Sequence, residues 1–189
     1  MDPYLYPGTV VLKNLRGFRD SDSLSRFEGN AAARRLLELT KKPVEGRFDV
    51  AHLRDIHRRI FQDVFAWAGQ FRTVNISKDG HLFGAANFVE QALEEVLRKL
   101  AAEQYLQGTS ADAFCDRAGF FLGEINAAHP FREGNGRTQR EFFRELGRQA
   151  GFGIDWSRIT REEMIAASRE SFLTGDASGL TILVRKCID

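Results

Sequence analysis

His129-Pro130-Phe131-Arg132-Glu133-Gly134-Asn135-Gly136-Arg137-Thr138-Gln139-Arg140 reads as a loop that opens a helix. Pro130 biases His129 away from right-handed helical backbone. Gly134 and Gly136 allow a tight turn with exposed amides, and a run of good helix formers begins at Arg137. Bare amides at a helix start attract phosphate, and glycines let it approach the backbone closely. Arg137 and Arg140, three apart, share one helical face and suit successive phosphates of one polyphosphate. Glu133 lies in the same turn, and a carboxylate beside a polyphosphate is the usual protein ligand for Mg²⁺. His129, at the entrance, is placed to take a proton from an incoming hydroxyl. The twelve residues point to nucleotide-phosphate chemistry. The competing reading is a glycine-capped loop whose arginines merely pair with surface acids.

Working outward, the segment 111–128, ending at His129, is the most apolar stretch, with Phe114, Phe120, Phe121, Leu122 and Ile125, and predicts a central helix. A second helix is predicted over about 137–150 through Phe142, Phe143 and Leu146, stopped by Gly151. Helical spacing also predicts helices over 21–42 and 50–65, the latter capped by Asp49, over about 85–104 with Phe88 on the apolar side, over 161–172 behind a Thr160-Arg161-Glu162-Glu163 capping box, and over 177–186. Residues 1 to about 20, with Pro3, Pro7, Gly8 and Gly17, read as an irregular arm. The alternating run Phe71-Arg72-Thr73-Val74-Asn75-Ile76, with Asp79-Gly80 as a type I′ turn signal into His81-Leu82-Phe83, predicts a small β-hairpin. The fold expected is one all-α domain, 1–189, with a single hairpin.

The 189 residues are 43% hydrophobic, enough for one sizeable core. With 27 Lys plus Arg against 26 Asp plus Glu, no broad nucleic-acid footprint is indicated. Cys115 and Cys187 have neither the number nor the spacing of a disulfide framework or zinc site. His52 and His57, five apart, do not share a helical face as metal ligands would, and are read as surface or packing residues. The start Met1-Asp2-Pro3-Tyr4 lacks a charged leader, and no apolar run reaches membrane-spanning length, so a cytoplasmic protein with no membrane and no direct nucleic-acid contact is expected.

His129 through Arg140 also resembles the signature of the Fic (Fido) family, H-x-F-x-[D/E]-G-N-G-R-x-x-R, at all eight fixed positions. Asp2-Pro3-Tyr4 and Tyr6-Pro7-Gly8 are similar to Fic toxins of toxin–antitoxin modules. The resemblance implies a helical bundle around a helix–loop–helix at 111–150, and a flap at about 71–83 that aligns the target's segment by strand addition, here Ser77, Lys78, Asp79, Gly80, His81, Leu82 and Phe83. Family members carry Trp67-Ala68-Gly69 and Arg72 just before this flap. The activity implied is Mg²⁺-dependent transfer of AMP from ATP to a protein hydroxyl. His129 would be the base, Glu133 the Mg²⁺ ligand, Gly134, Asn135 and Gly136 the anion hole, and Arg137 and Arg140 the ligands of the β- and γ-phosphates, with Phe131 as a buried anchor. Doc-like relatives, which act as kinases, carry lysine where this chain has Gly136; a few relatives transfer UMP or phosphocholine. A catalytically silent nucleotide-binding interaction domain is the third alternative.

Family members are commonly restrained by a helix carrying [S/T]-x-x-x-E-[G/N]. No Ser or Thr here has Glu four residues later; the nearest segment, Glu28-Gly29, has Leu24 at the hydroxyl position, and Glu28 is read as a solvated helix residue. The resemblance therefore implies a separate small helical antitoxin carrying that motif, and the ATPase subunits of DNA gyrase and topoisomerase IV as targets.

Overall fold

The structure is a computed structural model that describes residues 2–78 and 80–189, with only the backbone of Lys78. Met1 and Asp79, the latter the first residue of the expected Asp79-Gly80 turn signal, lie outside the described residues. Among the described residues there are seven α-helices: α1 (Ser21–Lys41), α2 (Val50–Phe61), α3 (Val89–Ala102), α4 (Ala111–Ala128), α5 (Asn135–Ala150), α6 (Arg161–Thr174) and α7 (Ser178–Cys187). Two short strands, β1 (Ser77–Lys78) and β2 (His81–Leu82), form an antiparallel pair with Ser77 opposite Leu82. The fold is all-α, with one hairpin, as the sequence pattern predicts.

α4 is the axis. Ser110 caps it by accepting from the Ala113 N–H, and its Phe114, Phe121, Leu122 and Ile125 are fully buried or nearly so. Helices α3, α5, α6 and α7 pack around it. The approach of α7 is close enough that a Cβ on Gly119 would lie 2.7 Å from the Thr181 backbone nitrogen, and that of α6 close enough that one on Gly123 would lie 2.6 Å from the Ser171 hydroxyl. Small residues here let two helix backbones meet. Further out, the Arg35 guanidinium forks onto both oxygens of Asp63 and also reaches Glu38, tying α1 to the turn after α2.

Three expectations need correction. The alternating run 71–76 is not a strand; the hairpin is confined to 77–78 and 81–82. Arg72 is the reason: its backbone N–H donates to the Pro130 carbonyl and its buried side chain to other main-chain carbonyls, so the segment is anchored to the end of α4 instead of a partner strand. The helix expected from about 85 begins as α3 at Val89 after a 3-10 turn (Ala86–Phe88), and Phe88 is exposed. The helix expected over 50–65 ends as α2 at Phe61. His52 and His57 are both buried, which decides for packing over surface, as are Cys115 and Cys187. No helix among the described residues is long and apolar enough to cross a membrane.

Candidate active site

The loop between α4 and α5 forms one wall of a cleft of about 980 Å³, closed by the arm, α1, the hairpin and α6. Helix α4 ends when His129 turns left-handed, with φ 44° and ψ 62°, its N–H still donating to the Ile125 carbonyl. Pro130 excludes a continued right-handed helix there. The His129 ring makes a 3.3 Å hydrogen bond through Nδ1 with the Asn126 carbonyl. A carbonyl only accepts, so Nδ1 carries the hydrogen and the lone pair of the neutral ring is on Nε2. The Phe83 ring, at the end of the hairpin, stacks on this imidazole at 3.9 Å and 18°, and Phe172 of α6 packs behind it.

Arg72 fixes the other side of the turn. Its Nε donates to the His129 carbonyl at 2.8 Å, Nη2 to those of Ala128 and Gly84, and Nη1 to that of Val74 at 2.8 Å. One buried guanidinium thus joins the end of α4 to both ends of the hairpin segment. Burial lowers its pKa.

Phe131 is buried and stacks face-on with His57 at 3.8 Å. His57 Nδ1 accepts the Gly69 N–H at 2.8 Å, which assigns the ring hydrogen to Nε2, and Nε2 donates to the Glu133 carbonyl at 3.0 Å. Burial pushes its pKa down to about 3, so this is a neutral brace for the loop. Asn135 closes the loop as a two-way clamp: Oδ1 accepts from the Phe131 N–H and Nδ2 donates to the Phe131 carbonyl, both at 2.8 Å. Its side chain is therefore engaged with the loop itself, which leaves the backbone amide as the group it can offer an anion.

The two motif glycines differ. Gly134 has φ +85°, and a Cβ on it would strike the Phe61 ring at 2.3 Å; only glycine fits. Its N–H, expected to face an anion, donates to Glu133 Oε1 at 2.9 Å. Gly136 is an ordinary helical residue within α5, and a Cβ there would first meet Arg140 Nη1 at 3.4 Å. Its lack of a side chain keeps the helix start open toward the cleft, where the sequence suggested a turn requirement.

Glu133, half-exposed, lies at the rim, 3.5 Å from Arg137 Nη2. Arg137 rests over the Phe61 ring at 4.8 Å. Arg140 lines the cleft one turn on; desolvation lowers its pKa, with Arg137 and Arg161 adding like-charge repulsion. The Trp156 indole N–H donates to the Arg140 carbonyl at 2.8 Å, and the Trp156 side chain lines the same cleft. Glu28 is a correction to the sequence reading. It is largely buried, not solvated, and sits 2.6 Å from Arg137 Nη2. Gln139 lines the cleft, buried, and its Nε2 has no hydrogen-bond partner among the described residues.

The structure thus brings His129, Glu133, Gly134, Asn135, Gly136, Arg137 and Arg140 to one cleft, with Ser77, His81 and Phe83 on its rim. Leu82 points outward and is exposed, Gly80 forms the hairpin turn with φ +81°, Lys78 is placed by backbone alone and Asp79 lies outside the described residues. Unforeseen from sequence are Glu28, His57 and Asp2, whose carboxylate holds Arg132 within the loop at 2.8 Å.

Fold and site together define a helix–loop–helix that walls a cleft lined by His129, Glu133, Arg137 and Arg140. The family model that matches residues 47–146 is that of the Fic/DOC family. Protein adenylyltransferase VbhT of Bartonella schoenbuchensis is 44% identical over 98% of this chain, which spans 38% of VbhT's length. The probable protein adenylyltransferases y4lH of Sinorhizobium fredii and Fic of Salmonella typhimurium are 40% and 35% identical over 99% of this chain, covering 96% and 92% of theirs. Among solved structures, the BepC effector of Bartonella tribocorum with bound AMPPNP superposes with a TM-score of 0.93 at 28% identity, over 98% of this chain and 96% of that one. An N-terminal Fic domain from Bartonella quintana with bound ADP gives 0.94 at 31%, over 98% and 94%. The chain belongs to the Fic/DOC family, and within it stands with nucleotidyltransferases.

Proposed function

We propose that the chain is a Mg²⁺-dependent protein adenylyltransferase that moves AMP from ATP to a hydroxyl of another protein. The observation that carries this reading is the orientation of His129: its Nδ1–H is held by Asn126, and the basic Nε2 belongs to a ring that lines the same cleft as Arg137 and Arg140. The target oxygen forms a bond to the α-phosphorus while the bond to the β-phosphate oxygen breaks; the hydroxyl proton passes to Nε2. Pyrophosphate leaves, and Arg137 and Arg140 meet its charge. That y4lH and Fic, matched over nearly their whole length, carry adenylyltransferase names, as does the longer VbhT, and that AMPPNP and ADP occupy related structures, supports ATP as co-substrate.

Glu133 suits Mg²⁺. It is a hard oxygen donor at the cleft rim, and Mg²⁺ takes one or two carboxylates together with substrate phosphates. When bound, the ion neutralises charge on the phosphates. The exposed hairpin offers backbone groups for strand addition by the target segment. Gly136, open toward the cleft, favours AMP transfer over the inverted, kinase-like use of nucleotide.

Residues 1–189 act as one unit in this reading, with Asp2 and Tyr4 of the arm seated on the loop and on Thr73. With the arm's resemblance to toxins and no internal [S/T]-x-x-x-E segment, we place the chain as the toxin of a cytoplasmic toxin–antitoxin pair, restrained by a small helical antitoxin, with gyrase and topoisomerase IV ATPase subunits as targets. The test is incubation of the chain and its His129→Ala variant with α-labelled ATP, Mg²⁺ and those subunits, followed by intact mass. A gain of one AMP that is lost in the variant is expected; no label on any protein overturns the reading.

A further inference from the structure

We propose that Glu28, on α1, is a positioning residue that holds the Arg137 guanidinium ready for nucleotide phosphate; this rests on the reading of Arg137 as a phosphate ligand. Ser21, Leu24, Ser25 and Glu28 lie along one face of α1, and that face forms a wall of the cleft. The Glu28 side chain is 13% exposed, with Oε1 2.6 Å from Arg137 Nη2. Oε1 is itself shut off from solvent, and no described donor is aligned on it for a hydrogen bond, so the carboxylate depends on the charge of Arg137.

An arginine side chain has four rotatable bonds, and a surface arginine wanders. Arg137 is held instead on two sides, by the Phe61 ring beneath at 4.8 Å and by Glu28 at its edge. Glu133 reaches the same Nη2, but at 3.5 Å and from a half-exposed position. Glu28 is therefore the firmer of the two carboxylate contacts. Both carboxylates have their nearest approach at Nη2, which orients the planar fork, and a fork fixed in advance loses less freedom when phosphate binds it. Glu28 also offsets the positive charge of Arg137 beside Arg140, whose pKa is lowered by burial first and by repulsion from Arg137 and Arg161 second. The contact differs from a blocking glutamate, because it belongs to a helix that walls the cleft and leaves Arg140 to the cleft.

The test measures AMPPNP binding by calorimetry for the unmodified chain, Glu28→Ala, Glu28→Gln, Arg137→Ala and the Glu28→Ala/Arg137→Ala pair, each checked for unchanged thermal unfolding. Glu28→Ala is expected to weaken AMPPNP binding about tenfold, Glu28→Gln, which keeps the shape, less so, and Glu28→Ala to add nothing once Arg137 is alanine. Tighter binding in Glu28→Ala overturns the proposal and makes the residue a brake. A loss in Glu28→Ala that persists in the pair, or unchanged binding in Glu28→Gln and Glu28→Ala, overturns it as well. Unchanged binding in Arg137→Ala alone removes the phosphate role of Arg137 itself, a separate failure.

Discussion

His57 braces the loop only as a neutral ring, since Nδ1 must accept from Gly69 while Nε2 donates to Glu133. In the unfolded chain it protonates near 6.5, and in the fold burial holds this off to about 3. Between those values the unfolded chain binds a proton that the native protein does not. Stability from this residue is therefore complete above 6.5 and falls, as pH drops toward 3, by about 1.4 kcal/mol per unit. His57→Gln is expected to flatten the plot of unfolding free energy against pH between 4 and 6 by that slope, read by urea denaturation; parallel plots would contradict it. Gln139 makes the opposite case. Its buried Nε2 has no described partner, so Gln139→Met, similar in size and without the donor, is expected to stabilise the nucleotide-free protein by about 1 kcal/mol. A lowered melting temperature would mean that the amide is satisfied after all.

At the scale of elements, α4 and α7 meet through Gly119. Alanine has the better helix propensity, by about 1 kcal/mol, yet the added Cβ would lie 2.7 Å from the Thr181 nitrogen and 2.8 Å from its Cα, atoms of a helix backbone that cannot swing aside. Gly119→Ala is expected to destabilise by about 1–3 kcal/mol net; stabilisation in a thermal melt would show that α7 shifts freely. The helices themselves were legible in sequence where their signals are local. Asp49 does cap α2, Thr160 and Glu163 do form a reciprocal box, and Gly151 does end α5. The run 71–76 was misread because period-two alternation describes side chains, while Arg72 is decided by carbonyls more than fifty residues away. The motif loop was legible as a unit for the same local reason. Glu28 was not: its partner is Arg137, and nothing within α1 marks which face will wall a cleft.

The molecule as a whole is tied together by few groups that each touch several parts. Arg72 reaches carbonyls of Val74, Gly84, Ala128 and His129, and its backbone reaches Pro130. Lysine keeps the charge but offers one nitrogen where the guanidinium offers three. Arg72→Lys is expected to lower stability by roughly 2–4 kcal/mol, from carbonyls left buried and unpaired, and to raise hydrogen exchange in the hairpin more than in α7. Equal exchange in the two would mean that the hairpin is held by other contacts.

The chain has two tryptophans. Trp67 is packed between Phe65 and Tyr4, whereas Trp156 lines the cleft with its N–H on the carbonyl of Arg140. That second indole is a resident optical probe: with Trp67→Phe as the background, emission from Trp156 alone should respond to nucleotide arriving at Arg140, allowing occupancy to be followed in real time without label, target or turnover.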